Sequence, residues 1–185
     1  GMPLINLRRI PLDSFMNSFC KRCFDICGSL GLLLVLSPLM LVVALLVKLT
    51  SPGPVFYRQE RVGLNRRPFL MYKFRSMKAE QNGADKTAWS TREDDRRTAF
   101  GSWMRKYSVD ELPQLWNVLR GDMSLVGPRP EIPYFVEKFK EEVPLYMLKH
   151  LVRPGITGLA QIRGWRGDTS IVERIKCDID YIEHW

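Results

Sequence analysis

Two adjacent carboxylates, Asp110 and Glu111, stand among fixed cations and are the residues of this sequence best suited to chemistry. Arg105 and Lys106 lie just upstream, and Arg129 is held between two prolines whose rings fix their own φ angles. Carboxylates among rigidly placed cations indicate a site for phosphate and a metal ion. The pair alone also has a structural explanation, because acids at a helix start stabilise the helix dipole. The surrounding cations favour the phosphate and metal site over this structural explanation.

A short amphipathic helix should carry this pair. Apolar residues recur at helical spacing over residues 110–120, and Gly121 supplies a stop. Pro113 is tolerated only in a first turn, which favours Asp110 rather than Ser108 as the helix cap. The helix would then present its positive end to the site.

Length and charge limit the number of domains and the kinds of partner that the chain can have. The chain has 185 residues, about one domain, with a net charge of +8 and a pI near 9.5. Such a charge predicts an anionic partner: nucleic acid, an anionic membrane surface or a phosphorylated substrate. Gly1 before Met2 resembles a tag remnant, and the ending at Trp185 suggests a truncated C-terminus.

The second large element is an apolar run. Residues 26–47 carry no charged side chain, and a straight helix of that length would be about 33 Å long, enough to cross a bilayer. Ser37 and Pro38 interrupt the run, and basic residues flank both of its ends, whereas a crossing helix concentrates them on one side. A kinked single span and a helix that dips in and returns both stay open.

A β-hairpin should follow the apolar run. Residues 55–62 and 68–77 are two strand-like segments joined by a turn near Gly63. The two-residue period of the second strand places Lys73 and Arg75 on one face. On their own, these two cations fit a solvated strand or one that faces nucleic acid.

The other segments are less informative. Residues 79–98 read as a long loop, either a substrate lid or a surface excursion, followed by a helix over residues 96–106. Basic amphipathic pieces over residues 131–151 either lie in a membrane interface or pack on the core. A final helix is predicted from about residue 170 to residue 184.

The four cysteines do not predict a metal site. Cys20, Cys23 and Cys27 lie along one helical face, but Cys177 and the two histidines show no ligand spacing. Free thiols without a secretory signal suit a reducing, cytosolic face.

Five segments, in order, cover nearly the whole chain and give it a family resemblance. These segments are KRCFDICGS before the Ser-Pro-broken apolar helix, PGPVFYRQERVG, YKFRSM, SVDELPQLWNVLRGDMSLVGPRP and VRPGITGLAQIRGWRGD. With them, the chain resembles the bacterial sugar transferases, the monotopic polyprenyl-phosphate phosphoglycosyl transferases. The resemblance implies an α+β fold, mostly helical, with a small β-hairpin, a re-entrant membrane helix and amphipathic interfacial helices. Residues 1–50 would form the membrane segment and residues 51–185 the cytosolic catalytic domain. Longer members add membrane spans and a further domain, so this chain would be a short form or an excised core.

The resemblance also implies the reaction. Such proteins transfer a sugar 1-phosphate from a nucleotide diphosphate sugar, usually a UDP sugar, to polyprenyl (undecaprenyl) phosphate and release UMP. They start capsule, exopolysaccharide, O-antigen or glycoprotein glycan assembly at the cytoplasmic face of the bacterial inner membrane. Their route is ping-pong, through an aspartyl phosphosugar intermediate. The implied partners are a UDP sugar, polyprenyl phosphate and membrane lipids, without nucleic acid, and a homo-oligomer stays open.

The residue roles follow by matching positions. Asp110 would be the nucleophile, with Glu111 as its catalytic partner and the ligand of a Mg²⁺ cofactor. The other matched residues would contact substrate or phosphate. One of these contacts is assigned to Arg166, with Arg163 as the alternative. The substrate-binding candidates are Lys73, Arg75, Arg105, Gln114, Asn117, Arg129, Arg153 and Arg166.

Two functions of other classes remain as alternatives. A membrane-tethered nucleic-acid binder would account for the charge, and its binding should weaken steeply with salt. A non-catalytic membrane scaffold would account for the apolar pieces and would release no UMP. Neither explains a carboxylate pair among fixed cations.

Overall fold

The computed structural model describes residues 10–77, 98–167 and 169–185. The fold is mostly helical, with two small two-stranded sheets, so the predicted α+β class is confirmed. A long helix, α1 (Phe15–Thr50), follows a 3₁₀ turn over Pro11–Asp13 and precedes the other α-helices and the strands. In chain order these are β1 (Phe56–Val62), β2 (Pro68–Phe74), α2 (Ala99–Lys106), α3 (Gln114–Arg120), β3 (Ser124–Val126), α4 (Pro133–Glu142), β4 (Gly155–Thr157), α5 (Leu159–Ile162) and α6 (Ile171–His184).

Helix α1 contains the whole predicted apolar run. Its 36 residues correspond to about 54 Å, and it is long and apolar enough to cross a membrane. Pro38 lies inside the helix and cannot donate to the carbonyl of Leu34 one turn earlier. The Ser37 hydroxyl donates to that carbonyl instead, over 2.8 Å. The serine therefore replaces part of the hydrogen bonding that the proline removes.

Both halves of α1 pack against the rest of the fold. In the N-terminal half, the buried Asp25 carboxylate accepts a hydrogen bond from the Leu125 amide at 3.0 Å, next to β3 residue Ser124. In the C-terminal half, buried side chains of α1 meet β2 and α2. This second contact, the α1–α2 cluster, consists of Val43, Val47, Phe74 and Met104.

The predicted hairpin is confirmed, with small changes at its ends. β1 and β2 pair antiparallel, and Tyr57 lies opposite Lys73. A 3₁₀ turn over Leu64–Arg66 connects them, and Asn65 has a positive φ of 51°. β2 ends at Phe74, so Arg75 lies just beyond the strand.

Two helix predictions are confirmed and one is wrong. α2 matches the described part of the helix predicted over residues 96–106, and α6 matches the predicted final helix. The helix predicted over residues 110–120 instead begins at Gln114, after a separate 3₁₀ turn over Val109–Glu111. Pro113 explains the break, because it donates no backbone hydrogen bond and separates the turn from the helix. Gly121 ends the helix as predicted, with a φ of 94°.

The sequence did not predict the second sheet. β3 and β4 are three residues each and pair in parallel, with Ser124 opposite Gly155 and Val126 opposite Thr157. The segment predicted over residues 131–151 forms α4 and a 3₁₀ turn over Tyr146–Leu151. The loop predicted over residues 79–98 lies, apart from Thr98, outside the described residues.

Candidate active site

The carboxylate pair lies on the 3₁₀ turn between α2 and α3. Asp110 and Glu111 are only 5% and 6% exposed, which is unusual for two adjacent acids. The apolar residues on either side of them, Val109 and Leu112, pack against the α1–α2 cluster. The turn that carries both acids is thus packed on a cluster to which the C-terminal half of α1 contributes Val43 and Val47.

Two cations neutralise Glu111. Its Oε1 atom lies 2.9 Å from Lys73 Nζ and 2.6 Å from Arg129 Nη2, and its Oε2 atom accepts a second bond from Arg129 Nη1 at 3.3 Å. Burial by itself would raise the pKa of Glu111, but Arg129 and Lys73 outweigh burial and hold this pKa well below its usual range. Glu111 is therefore ionised at neutral pH and fixes both cations in place.

Asp110 has the opposite electrostatics. Burial raises the pKa of its carboxyl above the usual 3.8, and the neighbouring negative charge of Glu111 adds to the rise. Lys73 and Arg105 lower it only in part. A carboxylate that has lost much of its hydration is a better nucleophile than one in water. The two adjacent acids therefore have different chemical characters.

The loop that carries Arg129 is fixed between the parallel strands. The Gly127 amide donates to the Thr157 carbonyl, and the Gly155 amide donates to the Pro128 carbonyl, both over 2.9 Å. A Cβ atom on Gly127 would lie 2.5 Å from the Arg153 carbonyl oxygen, so the approach requires glycine. These bonds and the flanking prolines explain how a long side chain can be held on Glu111.

Two further predicted cations reach serines near the pair. The Arg105 Nε atom donates to Ser76 Oγ over 2.9 Å, and Arg166 Nη2 donates to Ser108 Oγ over 2.9 Å. Ser108 stands two residues before Asp110, so Arg166 lies at the edge of the site. Arg163 instead pairs with Asp180 on α6, 2.9 Å away. Of these two arginines, the structure brings Arg166 to the site.

Arg75, although predicted as a substrate contact, is not brought to the carboxylate pair. Its guanidinium is buried against the end of α1, where it donates to the Ser51 carbonyl at 2.5 Å and the Pro52 carbonyl at 2.7 Å. It also reaches the Val47 carbonyl at 3.4 Å. Arg75 therefore satisfies the carbonyls at the C-terminal end of α1, a common task of basic residues.

The two amides predicted to line the site are both buried, with different partners. Asn117 accepts from the Tyr72 amide at 3.0 Å and donates to the Leu70 carbonyl at 2.8 Å, so it joins α3 to β2. Gln114 is 1% exposed, and its Nε2 atom has no hydrogen-bond partner within the described part of the chain. Asn117 is thus occupied by backbone groups, whereas Gln114, one turn after Asp110, keeps a donor.

Arg153 lies at the other end of α3. Its Nε atom donates to the Gly121 carbonyl at 3.0 Å, and burial together with the nearby Arg22 lowers the pKa of its guanidinium. Arg22 itself donates to the Val118 and Leu119 carbonyls. The seven residues of α3 separate this corner from the carboxylate pair by about 10 Å. The structure therefore does not bring Arg153 into the cluster around Glu111.

The carboxylate pair can contribute to a Mg²⁺ site but cannot form one alone. Mg²⁺ is usually held by one or two carboxylates together with substrate phosphates and water. Asp110 and Glu111 fit that pattern through Asp110 and through Glu111 Oε2, whose bond from Arg129 is the longest of the three at 3.3 Å. Within residues 10–77, 98–167 and 169–185, no group of three His, Cys, Asp or Glu side chains could hold a metal by itself. Binding would therefore depend on phosphate oxygens from a substrate.

The two serines that support the arginines were not predicted as site residues. Ser76 follows Arg75 directly, and its hydroxyl contacts the predicted Arg105. Ser108 has a positive φ of 58°, which places its hydroxyl where Arg166 can reach it. A serine beside a cation in sequence is too common a signal to predict either contact.

Comparison with known proteins places this chain in a family. Residues 16–185 match the family model described as bacterial sugar transferase. A relative from Escherichia coli (strain K12), named UDP-glucose:undecaprenyl-phosphate glucose-1-phosphate transferase, is 46% identical over 189 residues. The alignment covers 100% of this chain and 40% of the relative, so the chain spans less than half of that protein.

Two other relatives bear related names. A Caulobacter vibrioides protein with the same name as the Escherichia coli relative is 46% identical, over 95% of this chain and 67% of its own length. An Aeromonas hydrophila protein, named UDP-N-acetylgalactosamine-undecaprenyl-phosphate N-acetylgalactosaminephosphotransferase, is 48% identical, over 92% of this chain and 40% of its own length. The family match over nearly the whole chain and these identities show that the chain belongs to the bacterial sugar transferases.

Proposed function

We propose that this chain transfers a sugar 1-phosphate from a UDP sugar to polyprenyl phosphate and releases UMP. The observation that carries the proposal is the division of roles in the carboxylate pair. Glu111 holds two cations at 2.6 and 2.9 Å, and the adjacent Asp110 is a buried carboxylate with a raised pKa. The names of the relatives, which include UDP sugars and undecaprenyl phosphate, support the same substrates.

The proposed route has two steps. An Asp110 carboxylate oxygen attacks the β-phosphorus of the UDP sugar, and the bond from this phosphorus to the bridging oxygen breaks, so that UMP leaves with the electron pair. A phosphate oxygen of the lipid then attacks the same phosphorus and releases Asp110. Each step forms one P–O bond and breaks one, and the product is a polyprenyl diphosphate sugar.

The cations around the pair would do most of the catalytic work. Phosphoryl transfer depends mainly on positioning and on neutralising charge. Lys73 and Arg129, held on Glu111, would face the phosphate oxygens, and Arg105 and Arg166 would approach from the serines that hold them. Mg²⁺ bound by Glu111 with the diphosphate would neutralise charge on the departing UMP. Positive charge therefore surrounds the reacting phosphorus.

The proposal is tested by measuring UMP. Purified protein in bilayer nanodiscs is incubated with Mg²⁺, undecaprenyl phosphate and single UDP sugars, including UDP-glucose and UDP-N-acetylgalactosamine. We expect UMP and lipid-linked sugar in equal amounts from at least one donor, and loss of both when EDTA removes Mg²⁺. A folded preparation that releases UMP from no donor would refute the assignment, and steep salt-dependent binding of nucleic acid would favour the tethered binder.

We further propose that α1 enters and leaves the membrane on the same side. Between the buried Ser29 and Val43, the helix presents exposed apolar side chains such as Leu34 and Val35. These two attachment points are about 21 Å apart along a straight helix, less than the roughly 30 Å of the hydrocarbon core. Both attach to one fold in which Asn117 joins α3 to β2. A spanning helix would have to divide that fold between the two sides of the bilayer.

Cysteine labelling tests this topology. One variant retains only the exposed Cys20, with the other cysteines replaced by serine; a second lacks the native cysteines and carries Lys48→Cys at the other end of α1. We expect a membrane-impermeant maleimide to label both in inside-out bacterial vesicles and neither in intact spheroplasts. Detergent-solubilised protein is the control for reactivity. Labelling of the two positions from opposite sides would show that the helix spans the bilayer.

A further inference from the structure

A second buried charge cluster lies beside the loop that carries Arg129. Its centre is Glu131, which is 5% exposed. Glu131 Oε1 lies 2.6 Å from Arg174 Nη2 on α6, and Oε2 lies 3.8 Å from Arg61 Nη1 on β1. Burial alone would raise the pKa of Glu131, but Lys149, Arg174 and Arg61 outweigh it and lower that pKa. This second carboxylate is also ionised, and three elements of the fold converge on it.

Residues around the same cluster also donate hydrogen bonds to the backbone next to Arg129. Arg61 Nη1 donates to the Pro130 carbonyl at 3.1 Å, and the Val62 amide donates to the Glu131 carbonyl at 2.9 Å. On the other side of Arg129, the Pro128 carbonyl accepts from the Gly155 amide. The Arg129 backbone is thus fixed at both flanks, and on the downstream flank Arg61 contacts both the Pro130 carbonyl and the Glu131 carboxylate.

We infer that Glu131 and Arg174 are positioning residues for Arg129. The link runs from α6 through the Arg174–Glu131 pair to the Pro130 segment, and from there to the guanidinium bound to Glu111. The inference rests on the proposed function, since it concerns how the reacting phosphate would be held. A displacement of about 1 Å in a positioned group is enough to reduce a rate about a hundredfold. Loosening the pair should therefore affect the reaction as well as the fold.

A purely structural role is the competing explanation, and Asp178 provides its control. Asp178 is the other buried carboxylate near this cluster, 4% exposed and 3.5 Å from Lys149 Nζ. It lies on α6 one turn after Arg174 and shares Lys149 with Glu131, and its ion pair is with Lys149 rather than with the segment that carries Arg129. Asp178→Asn removes a buried carboxylate from the same helix and should leave the Arg129 backbone in place.

The experiment compares Glu131→Gln, Arg174→Gln and Asp178→Asn in the UMP assay, well below the Tm of each variant. We expect kcat/KM for the UDP sugar to fall about tenfold to a hundredfold in the first two variants. The kcat/KM of Asp178→Asn should stay within about threefold of the parent value, even if its Tm falls as much as that of the first two variants. Glu131→Gln is then combined with Arg129→Lys, which keeps the positive charge. Arg129→Lys removes the guanidinium that Glu131 is proposed to position. In that background, Glu131→Gln should therefore lower kcat/KM by less than about threefold.

The outcomes separate the two explanations. Equal losses in Glu131→Gln and Asp178→Asn, in step with their Tm values, would overturn the positioning role. A full tenfold loss from Glu131→Gln in the Arg129→Lys background would also overturn it, because the two residues would then act independently. Absence of UMP release by the parent protein would refute the proposed function itself. Activity of the parent with no selective effect at Glu131 would refute only this inference.

Discussion

Replacing Asp110 by Asn should abolish UMP release, with a loss of at least about a thousandfold. The amide has nearly the shape of the carboxylate, but it cannot attack phosphorus to give an acyl phosphate, and loss of a nucleophile is among the costliest changes in an enzyme. With a UDP sugar and no lipid, the parent should release about one equivalent of UMP and gain the mass of a phosphosugar. Peptide mass spectrometry should place that mass on Asp110.

Asp180→Asn is the matched control. Asp180 is an aspartate on α6 that pairs with Arg163 2.9 Å away and is 37% exposed, so its loss should leave UMP release within about twofold. The pH dependence adds a second test. Asp110 must be ionised to attack, so its raised pKa should move the acid limb of the rate above the pH expected for an ordinary aspartate. Turnover by Asp110→Asn at the parent rate would rule out the covalent route.

Arg129→Ala should reduce both activity and stability. Removing the guanidinium takes away two hydrogen bonds to Glu111 and leaves that buried carboxylate with Lys73 alone. Breaking a buried ion pair costs about 3 to 5 kcal/mol in the free energy of unfolding, and we expect a loss in kcat/KM of at least about a hundredfold. Denaturant unfolding and the UMP assay measure the two effects separately.

The stability effect has a defined pH dependence. The folded-state pKa of Glu111 lies below its ordinary value of 4.5, so the pair stabilises the fold fully above that pH. The stabilisation decreases as the pH falls towards the folded-state pKa. The difference between Arg129→Ala and the parent should therefore shrink below about pH 4.5. A difference that stays constant down to pH 3 would show that Glu111 is not the partner that matters.

Arg120→Ala controls for loss of an arginine side chain. Arg120 is half exposed and lies 3.5 Å from Asp122, a pair of the kind that contributes about 0 to 1 kcal/mol. It should unfold like the parent and retain UMP release. An Arg120→Ala variant as unstable as Arg129→Ala would mean that the buried Glu111–Arg129 pair contributes no more to stability than an exposed pair.

The position of the site at the end of α1 gives the proposed reaction a physical rationale. The apolar residues that flank the carboxylate pair pack on the α1–α2 cluster, so the acids stand next to the part of the chain proposed to enter the membrane. A polyprenyl phosphate has its charged group at the membrane surface, whereas a nucleotide sugar is dissolved in water. A site in this place could receive both without moving either substrate far.

The helix predicted over residues 110–120 shows what the spacing of apolar residues in a sequence cannot predict. Gly121 gave the correct stop, but the helix start that Pro113 predicts at Asp110 is wrong. The proline actually separates the helix from the turn that bears the acids, so Asp110 is not a helix cap. Helical spacing continues through a 3₁₀ turn almost unchanged over three residues, and sequence periodicity cannot tell the two apart.

The predicted cations show the same limit. Lys73 and Arg75 are predicted on the same face of a strand, and both fit a phosphate site by charge. β2 ends between them, which leaves Lys73 on Glu111 and turns Arg75 towards the carbonyls of α1. An arginine that binds backbone carbonyls looks, in sequence, like one that binds phosphate, because the same donors serve both.

The sequence by itself determined the elements that depend on local physics: the long apolar helix, the hairpin, the final helix and the acidic pair among cations. Only the tertiary structure decided which cation binds which anion. Glu111 meets Lys73 and Arg129 because a strand, a turn and a glycine-bound loop converge there, over 38 and 18 residues of chain. Such contacts depend on packing between distant segments, and local propensity and period carry no information about them.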